Sequence, residues 1–199
     1  MTEFWETNFN QKQEMWGLKP SKSAIITKDF FTEKGLKKIL IPGIGYGRNA
    51  QVFINQGMKV TGIEISKTAV KLAKKHYGNK TNIYQGSVNN MPYDNATYDG
   101  VFCHALIHLL NKEERAKLIQ NCYQQLNKNG YLFFTAISKQ ASNYGKGTLI
   151  YKDCYEFHKG VPIFYYDDES ILTEFEKFGL FEKIQIQEDQ PMFLIKCRK

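Results

Sequence analysis

A glycine-rich turn between a predicted strand and a predicted helix constrains this chain more than any other feature of its sequence. An apolar run at 39–41 is followed, after one proline, by Gly43, Gly45 and Gly47, and then by the segment 48–56, which the pattern predicts to be a helix. Glycines let the backbone turn sharply and let a ligand lie against it, and the start of the helix offers unpaired N–H groups. Beyond a simple tight turn, the arrangement predicts a nucleotide-like ligand.

The spacing of these glycines separates two classes of cofactor. A dinucleotide fold favours GxGxxG, whose last glycine would fall at position 48, where this chain has Arg48. The spacing that is present, GxGxG, is typical of S-adenosylmethionine sites. Glu64 ends the next predicted strand, 59–63, at the right distance to accept hydrogen bonds from both ribose hydroxyls. We therefore predict that the three glycines and Glu64 bind S-adenosylmethionine.

Predicted strands and helices alternate along the chain. The strands are predicted at 38–41, 59–63, 81–84, 98–103, 130–136, 181–187 and 191–197, and the helices at 22–34, 48–56, 66–77, 112–126 and from 167 to Gly179. Near-continuous apolar strands alternating with helices predict a parallel sheet covered on both faces, and the last two strands predict a hairpin. We predict an α/β fold of three layers, Rossmann-like, with a seven-stranded, mostly parallel sheet and an antiparallel C-terminal hairpin.

Length and composition bound the organisation and the partners of the chain. Its 199 residues, 42% of them hydrophobic, predict one domain, 1–199, with an N-terminal lid and helix at 1–34 and a substrate loop at 138–165. The net charge of +7 raises the question of nucleic acid, but the lysines are dispersed along predicted helices and fit solvated faces. Nucleic acid is therefore a disfavoured partner.

Cysteine usage and the N-terminus bear on the compartment. The four cysteines lie far apart without a CxxC pair, which predicts a reducing compartment, no disulfide framework and no metal site. The N-terminus lacks the pattern of a signal peptide, and no apolar run approaches the ~20 residues that a bilayer span needs. We expect a cytoplasmic protein that does not contact a membrane.

Two segments outside the alternating pattern are rich in aromatic residues. In the segment 2–23, Trp5 and Phe9 are four residues apart and would pack one helix face onto the domain, whereas Trp16 is as well suited to cover the cofactor as to pack. The loop 138–165 has the length of a lid or binding loop. Tyr144, His158 and Tyr165 would then wall an acceptor pocket; packing within a long loop is the equal alternative.

Taken together, these motifs resemble those of class I S-adenosylmethionine-dependent methyltransferases, and their details are closest to the thiopurine and tellurite methyltransferase branch. The resemblance covers nearly the whole chain and rests on Trp5-x-x-x-Phe9 with Met15-Trp16-Gly17-x-x-Pro20, Pro42 to Asn49, Gln56 to Ser66, Gly86 to Pro92, and Tyr98 to Leu106. It implies methyl transfer to a small acceptor and a role for each matching residue. These roles are Trp5 and Trp16 over the cofactor, Gly43, Gly45, Gly47 and Asn49 in the glycine motif, Glu64 and Ile65 at the ribose, Ser87 and Val88 at the adenine, and His104 near the methionine end.

The chain departs from the usual class I pattern at two positions. Many members carry an acid two residues before the first glycine, where it holds the amino group of the cofactor, and this chain has Ile41 there. The Pro-Gly variant of the branch lacks that acid too. The group that accepts the adenine amino hydrogens is commonly an Asp, and here it is Ser87.

Methyl transfer from a sulfonium needs a nucleophile held in line more than it needs a catalytic side chain. If a base is used, the candidates are His108 and His158, with His104 as a wall residue; no residue is assigned as catalytic. The copy of an NPPY-like motif at 90–93 lies before strand four, whereas in enzymes that methylate bases it lies after that strand, so it is rejected. The alternatives are an RNA methyltransferase, a non-catalytic S-adenosylmethionine-binding protein and an NAD oxidoreductase. The acceptor, its reacting atom and the oligomeric state stay open.

Overall fold

The structure is a computed structural model, and it describes residues 2–158 and 160–199. Its strands are β1 (Lys38–Pro42), β2 (Lys59–Glu64), β3 (Thr81–Gln85), β4 (Tyr98–Cys103), β5 (Leu126–Ile137), β6 (Thr148–Tyr151), β7 (Cys154–His158), β8 (Val161–Phe164), β9 (Leu180–Gln187) and β10 (Pro191–Arg198). Its helices are α1 (Thr2–Lys12), α2 (Lys22–Glu33), α3 (Ala50–Asn55), α4 (Lys67–Tyr77), α5 (Lys112–Gln124) and α6 (Asp168–Phe175).

Seven of the strands form one twisted sheet in the order β3-β2-β1-β4-β5-β10-β9. The first five are parallel, and β10 runs antiparallel to both β5 and β9. In register, Ile39 of β1 pairs with Val60 of β2 on one side and with Gly100 of β4 on the other. Apolar side chains cover both faces of the sheet in two clusters, so the predicted three-layer α/β fold is confirmed.

Local signals explain why the helices start where they do. The hydroxyl of Ser66 accepts a hydrogen bond from the N–H of Ala69 at the start of α4. At the start of α5, Asn111 and Glu114 form a reciprocal capping box. Such caps satisfy N–H groups that have no partner within the helix. Helix α3 is shorter than the predicted 48–56, because residues 48 and 49 belong to the turn that precedes it.

The segment 138–165, predicted to be a lid or binding loop, contains regular secondary structure. Its residues 148–164 include the three strands of an antiparallel sheet in the order β6-β7-β8. This small sheet is fixed to the main body by Arg115 of α5, whose guanidinium lies 4.0 Å from the centre of the Phe164 ring and pairs with Glu174 at 2.8 Å. The sequence did not predict these three short strands, because glycine and lysine interrupt their β-branched and aromatic residues.

Helix α1 lies across the main body and is held there by Glu6. Its carboxylate accepts hydrogen bonds from the hydroxyls of Ser66 and Thr68, both at 2.7 Å, at the start of α4. These bonds lower the pKa of Glu6. Among the helices of the described residues, none combines the length and the apolar character needed to cross a bilayer.

Candidate active site at the carboxyl ends of the strands

The carboxyl ends of β1 to β4 open into one cavity of about 850 Å³. In a parallel sheet of this kind, ligands bind where neighbouring strands end and the chain leaves to opposite sides. Residues of the N-terminal segment and of the turn between β9 and β10 also line the cavity. The predicted cofactor residues that line it are Trp5, Trp16, Gly43, Gly45, Asn49, Glu64, Ile65, Ser87, Val88 and His104.

The glycine turn divides into two parts with different tasks. Gly43 and Gly45 line the cavity with φ of +69° and +58°, a backbone region that favours glycine. Gly47 (φ +87°) instead packs under Tyr77, where an added Cβ would lie 2.4 Å from the ring. Gly47 is not among the described residues that line the cavity, so its position does not support the predicted cofactor contact.

Glu64 is a buried carboxylate at the end of β2, only 6% exposed. Its Oε2 accepts a hydrogen bond from the N–H of Gly45 at 2.9 Å, and its Oε1 accepts one from the N–H of Ser66 at 2.8 Å. Burial raises the pKa of Glu64, and these N–H donors oppose the rise. A carboxylate has about four acceptor positions, so Glu64 keeps acceptor capacity for a hydroxyl group of a ligand in the cavity.

His104 leaves the end of β4 and faces the cavity. Its Nδ1 lies 3.1 Å from the hydroxyl oxygens of both Ser23 in α2 and Thr135 in β5. Burial lowers the pKa of His104 to about 3, and the positive charge of Arg48 acts in the same direction. The imidazole is therefore neutral at pH 7 and is held in place by two hydroxyls, neither of which the sequence patterns identified.

His108 forms a second neutral imidazole in the cavity wall and is 7% exposed. Its Nδ1 accepts a hydrogen bond from the N–H of Ile137 at 3.4 Å, so its proton resides on Nε2. Burial lowers its pKa to about 3, with the neighbouring His104 as the second cause. A group with this pKa is a poor base at pH 7, and a neutral Nε2–H is a hydrogen-bond donor.

The predicted acceptor residues lie elsewhere. Tyr144 and Tyr165 pack against Tyr155, with ring centres 5.6 and 6.1 Å from it, and Tyr144 donates to Asp153 at 2.7 Å. His158 is exposed on β7. None of these predicted residues is among the described residues that line the cavity. For Tyr144 and Tyr165 the structure shows the packing alternative, because β6 to β8 fold into a sheet of their own beside the main one.

A further part of the cavity wall comes from the turn between β9 and β10, which the sequence patterns left out of the site. Residues 187–190 line the cavity together with Met192 and Ile137. Glu188 fixes this turn to α2, since its carboxylate accepts hydrogen bonds from the N–H groups of Lys22 at 3.1 Å and Ser23 at 2.8 Å. A carboxylate placed over the first turn of a helix satisfies donors that otherwise lack partners.

The N-terminal segment covers the glycine turn. Trp16 is 44% exposed and stacks on Tyr46, with ring centres 6.4 Å apart at 12°. The hydroxyl of Tyr46 donates to the carbonyl of Gly17 at 2.6 Å and accepts from the N–H of Trp16 at 3.2 Å. Trp5 and Phe9 both pack in this cluster and line the cavity. These aromatic residues therefore pack against one another and also line the cavity.

Comparison with known proteins shows which domain and which fold this chain is similar to. The family model described as "Methyltransferase domain" matches residues 40–134. The ubiquinone biosynthesis O-methyltransferase of Vibrio campbellii is 27% identical over 112 residues, which are 54% of this chain and 47% of that protein. The chain thus spans about half the length of the curated relatives that it matches.

Solved structures with this fold align over almost the whole chain. The 1,6-didemethyltoxoflavin-N1-methyltransferase of Burkholderia thailandensis, solved with S-adenosylhomocysteine, has a TM-score of 0.78 and 14% identity, over 100% of this chain and 86% of that one. TehB from Haemophilus influenzae has a TM-score of 0.68 and 15% identity, over 98% of this chain and 67% of that one. Residues 40–134 therefore match the model of a methyltransferase domain, and the fold of the chain is the one found in S-adenosylmethionine-dependent methyltransferases.

Proposed function

We propose that this protein transfers the methyl group of S-adenosylmethionine to a small-molecule acceptor that binds in the same cavity. The observation that carries the proposal is Glu64, a buried carboxylate that lines the cavity at the end of β2 and accepts a hydrogen bond from Gly45, in the glycine turn that follows the neighbouring strand β1. That arrangement suits a ribose and the chain that extends from it. A cavity of about 850 Å³ lies in the upper part of the range for ligand pockets, about 300–1,000 Å³.

The acceptor side is formed by His104, His108, Ile137, Met192 and the turn at 187–190. When bound, S-adenosylmethionine supplies a methyl group made electrophilic by its sulfonium, so the protein has mainly to align the nucleophile and exclude water. Both imidazoles are neutral at pH 7 because burial lowers the pKa of each to about 3. They orient the acceptor through hydrogen bonds instead of removing its proton, and transfer proceeds by direct in-line displacement.

This proposal restricts the acceptor to groups that need no strong base, such as a thiolate, an ionised phenol, an oxyanion or a ring nitrogen. Within the class, we place the protein beside the thiopurine and tellurite branch. The aromatic N-terminal segment and the Gly-Arg-Asn exit at 47–49 support this placement, since Arg48 bonds the carbonyl of Trp16 at 3.3 Å and Asn49 accepts from the N–H of Ser21 at 2.9 Å.

The test is a screen of thiols, amines, phenols and oxyanions with S-adenosylmethionine, read out as S-adenosylhomocysteine formed. We expect turnover with at least one acceptor class, abolished by heat-inactivating the protein. Tight binding of S-adenosylmethionine without turnover on any class would favour the non-catalytic alternative. Turnover on transfer or ribosomal RNA, with marked salt dependence, would contradict a small-molecule acceptor.

A further inference from the structure

Two histidines line the cavity, and each turns one ring nitrogen into the protein. Nδ1 of His108 accepts from the N–H of Ile137 at 3.4 Å. Nδ1 of His104 lies 3.1 Å from the hydroxyl oxygens of both Ser23 and Thr135. The nitrogen that carries the proton decides whether a ring offers a ligand a donor or an acceptor. For His108 the proton is on Nε2, because Nδ1 is already an acceptor.

Thr135 determines which nitrogen of His104 carries the proton. Its side chain is fully buried, and its hydroxyl oxygen accepts a hydrogen bond from the N–H of Ala105 at 2.8 Å. Among the described residues, the acceptor that its hydroxyl hydrogen reaches is Nδ1 of His104. A proton on Nδ1 would leave that buried hydroxyl hydrogen unpaired, which folded proteins avoid. His104 is therefore protonated on Nε2, as His108 is.

Both Nε2 atoms are open to the cavity. Neither forms a hydrogen bond with the described residues, and neither is one of the buried polar atoms of those residues that lack a partner. Each therefore keeps accessible surface, and both side chains line the cavity. Burial lowers the pKa of His104 and of His108 to about 3, so both rings are neutral at pH 7. The wall thus presents two N–H donors to a ligand.

The charge that acts on these rings is positive. Arg48 lines the cavity and helps to lower the pKa of His104. Its guanidinium donates to the carbonyl of Trp16 at 3.3 Å and forms no ion pair with the described residues. None of the other charged residues that line the cavity shifts the pKa of either ring, so these residues lie farther away. They are Lys19, Lys22, Glu64, Glu114, Glu188 and Asp189.

We propose, on the basis of the proposed function, that the Nε2–H groups of His104 and His108 form an anion-binding subsite that takes the acceptor in its ionised form. Thr135 is the positioning residue that keeps the proton of His104 on Nε2. Hydrogen bonds to a charged group are about twice as strong as those to a neutral one, so the subsite selects an ionised thiol or phenol over a neutral amine.

Ionisation on binding removes the need for a base in the cavity. The acceptor loses its proton to water as it binds, because hydrogen bonds to the charged form lower the pKa of a bound thiol or phenol. A lone pair of its sulfur or oxygen then forms the bond to the methyl carbon. The electron pair of the broken carbon–sulfur bond goes to the sulfonium sulfur, which becomes neutral. No proton moves during the transfer itself.

The tautomers can be measured on the intact protein without an acceptor. Long-range proton–nitrogen correlation spectra at pH 7, assigned with single His→Gln variants, should show Nε2 protonated in both His104 and His108. Thr135→Val removes the donor to Nδ1, so part of the His104 population should change to the Nδ1–H form. Thr135→Ser keeps the hydroxyl and should match wild type. A proton on Nδ1 of His104 or His108 in the wild-type protein would overturn the inference.

The subsite itself is tested with 4-nitrophenol, which titrates near neutral pH and has a coloured anion. In the complex of the wild-type protein with S-adenosylhomocysteine, its pKa should fall by about one pH unit or more, a tenfold preference for the anion. The methyl ether 4-nitroanisole cannot ionise and should bind about tenfold or more weakly than the phenolate. Thr135→Val should lose part of the pKa shift, and Thr135→Ser should keep it.

An unchanged or raised pKa of the bound phenol, or no binding of the phenolate to this complex, would overturn the inference. Both results leave the proposed function intact as long as S-adenosylhomocysteine binds. Both come from the wild-type protein, so they do not depend on whether a variant folds. No binding of S-adenosylhomocysteine would overturn the proposed function as well.

Discussion

Glu64 is the residue on which the cofactor assignment depends, and its replacement gives the first prediction. Glu64→Ala removes a carboxylate that lines the cavity, and hydrogen bonds to a charged group contribute about 1.5–3 kcal/mol. We expect S-adenosylhomocysteine to bind about 10- to 100-fold more weakly in calorimetry. Glu64→Gln keeps the side-chain volume and one acceptor and should lose less. Affinity equal to wild type in both variants would place the ribose elsewhere.

Gly47 tests the division of the glycine turn into a ligand-facing part and a packing part. In Gly47→Ala the new Cβ would lie 2.4 Å from the ring of Tyr77, at a φ of +87°. We expect a loss of about 2–4 kcal/mol in the free energy of unfolding, measured with urea. Gly57→Ala is the matched control, because Gly57 has a similar φ of +73° but nothing within 4 Å of its Cβ. Equal losses would show that the Tyr77 contact is unimportant.

The lowered pKa of His108 leads to a prediction of how the free energy of unfolding depends on pH. Its pKa is about 3 in the folded chain against an ordinary 6.5, so below pH 6.5 the unfolded chain binds a proton that the folded chain does not. Stability should fall as the pH drops from 6.5 toward 3, by up to about 1.4 kcal/mol per pH unit for this residue. His104 acts with the same sign.

Urea unfolding of the wild-type protein and of His108→Gln at pH 5 and pH 7 measures how much His108 contributes to the pH dependence of stability. The amide of glutamine can still accept from the N–H of Ile137 but does not titrate. The difference in stability between the two pH values should shrink in the variant. An unchanged difference would mean that His108 titrates normally in the folded protein.

At the scale of elements, the turn between β9 and β10 joins the sheet edge to the start of α2. Glu188→Ala leaves the N–H groups of Lys22 and Ser23 without their carboxylate, which should lower the free energy of unfolding by about 1–2 kcal/mol. Asp189→Ala, at the exposed next position of the same turn, should change it by less than about 0.5 kcal/mol. A Glu188→Ala protein as stable as wild type would show that these two hydrogen bonds do not stabilise the fold.

The sequence predicted the elements well where the pattern is local. Apolar runs placed the seven strands of the main sheet within a few residues, except that β5 begins at Leu126, four residues before the predicted start. The three short strands in 138–165 were missed, since their polar and glycine interruptions resemble those of a loop. The sequence also did not show which glycines of the turn line the cavity. Gly47 packs under Tyr77, which lies 30 residues further along the chain.

The acceptor side shows the limit of prediction at the scale of the whole molecule. The predicted cofactor residues follow strand ends, which the sequence marks, whereas another part of the cavity wall combines the turn at 187–190 with Ile137 of β5, far apart along the chain. The aromatic character of Tyr144 and Tyr165 suggested an acceptor wall, but their rings pack against each other and against Tyr155. The single-domain organisation and the cytoplasmic location stay predictions.

The whole molecule is organised around the glycine turn and Glu64, and one titration tests that account most directly. Calorimetry of the intact protein with S-adenosylhomocysteine should show one saturable site, with a rise in melting temperature that grows with ligand concentration, because a ligand that binds only the folded state stabilises it. Absence of binding by both S-adenosylhomocysteine and S-adenosylmethionine would contradict it, and saturable binding of a nicotinamide dinucleotide would then favour the oxidoreductase alternative.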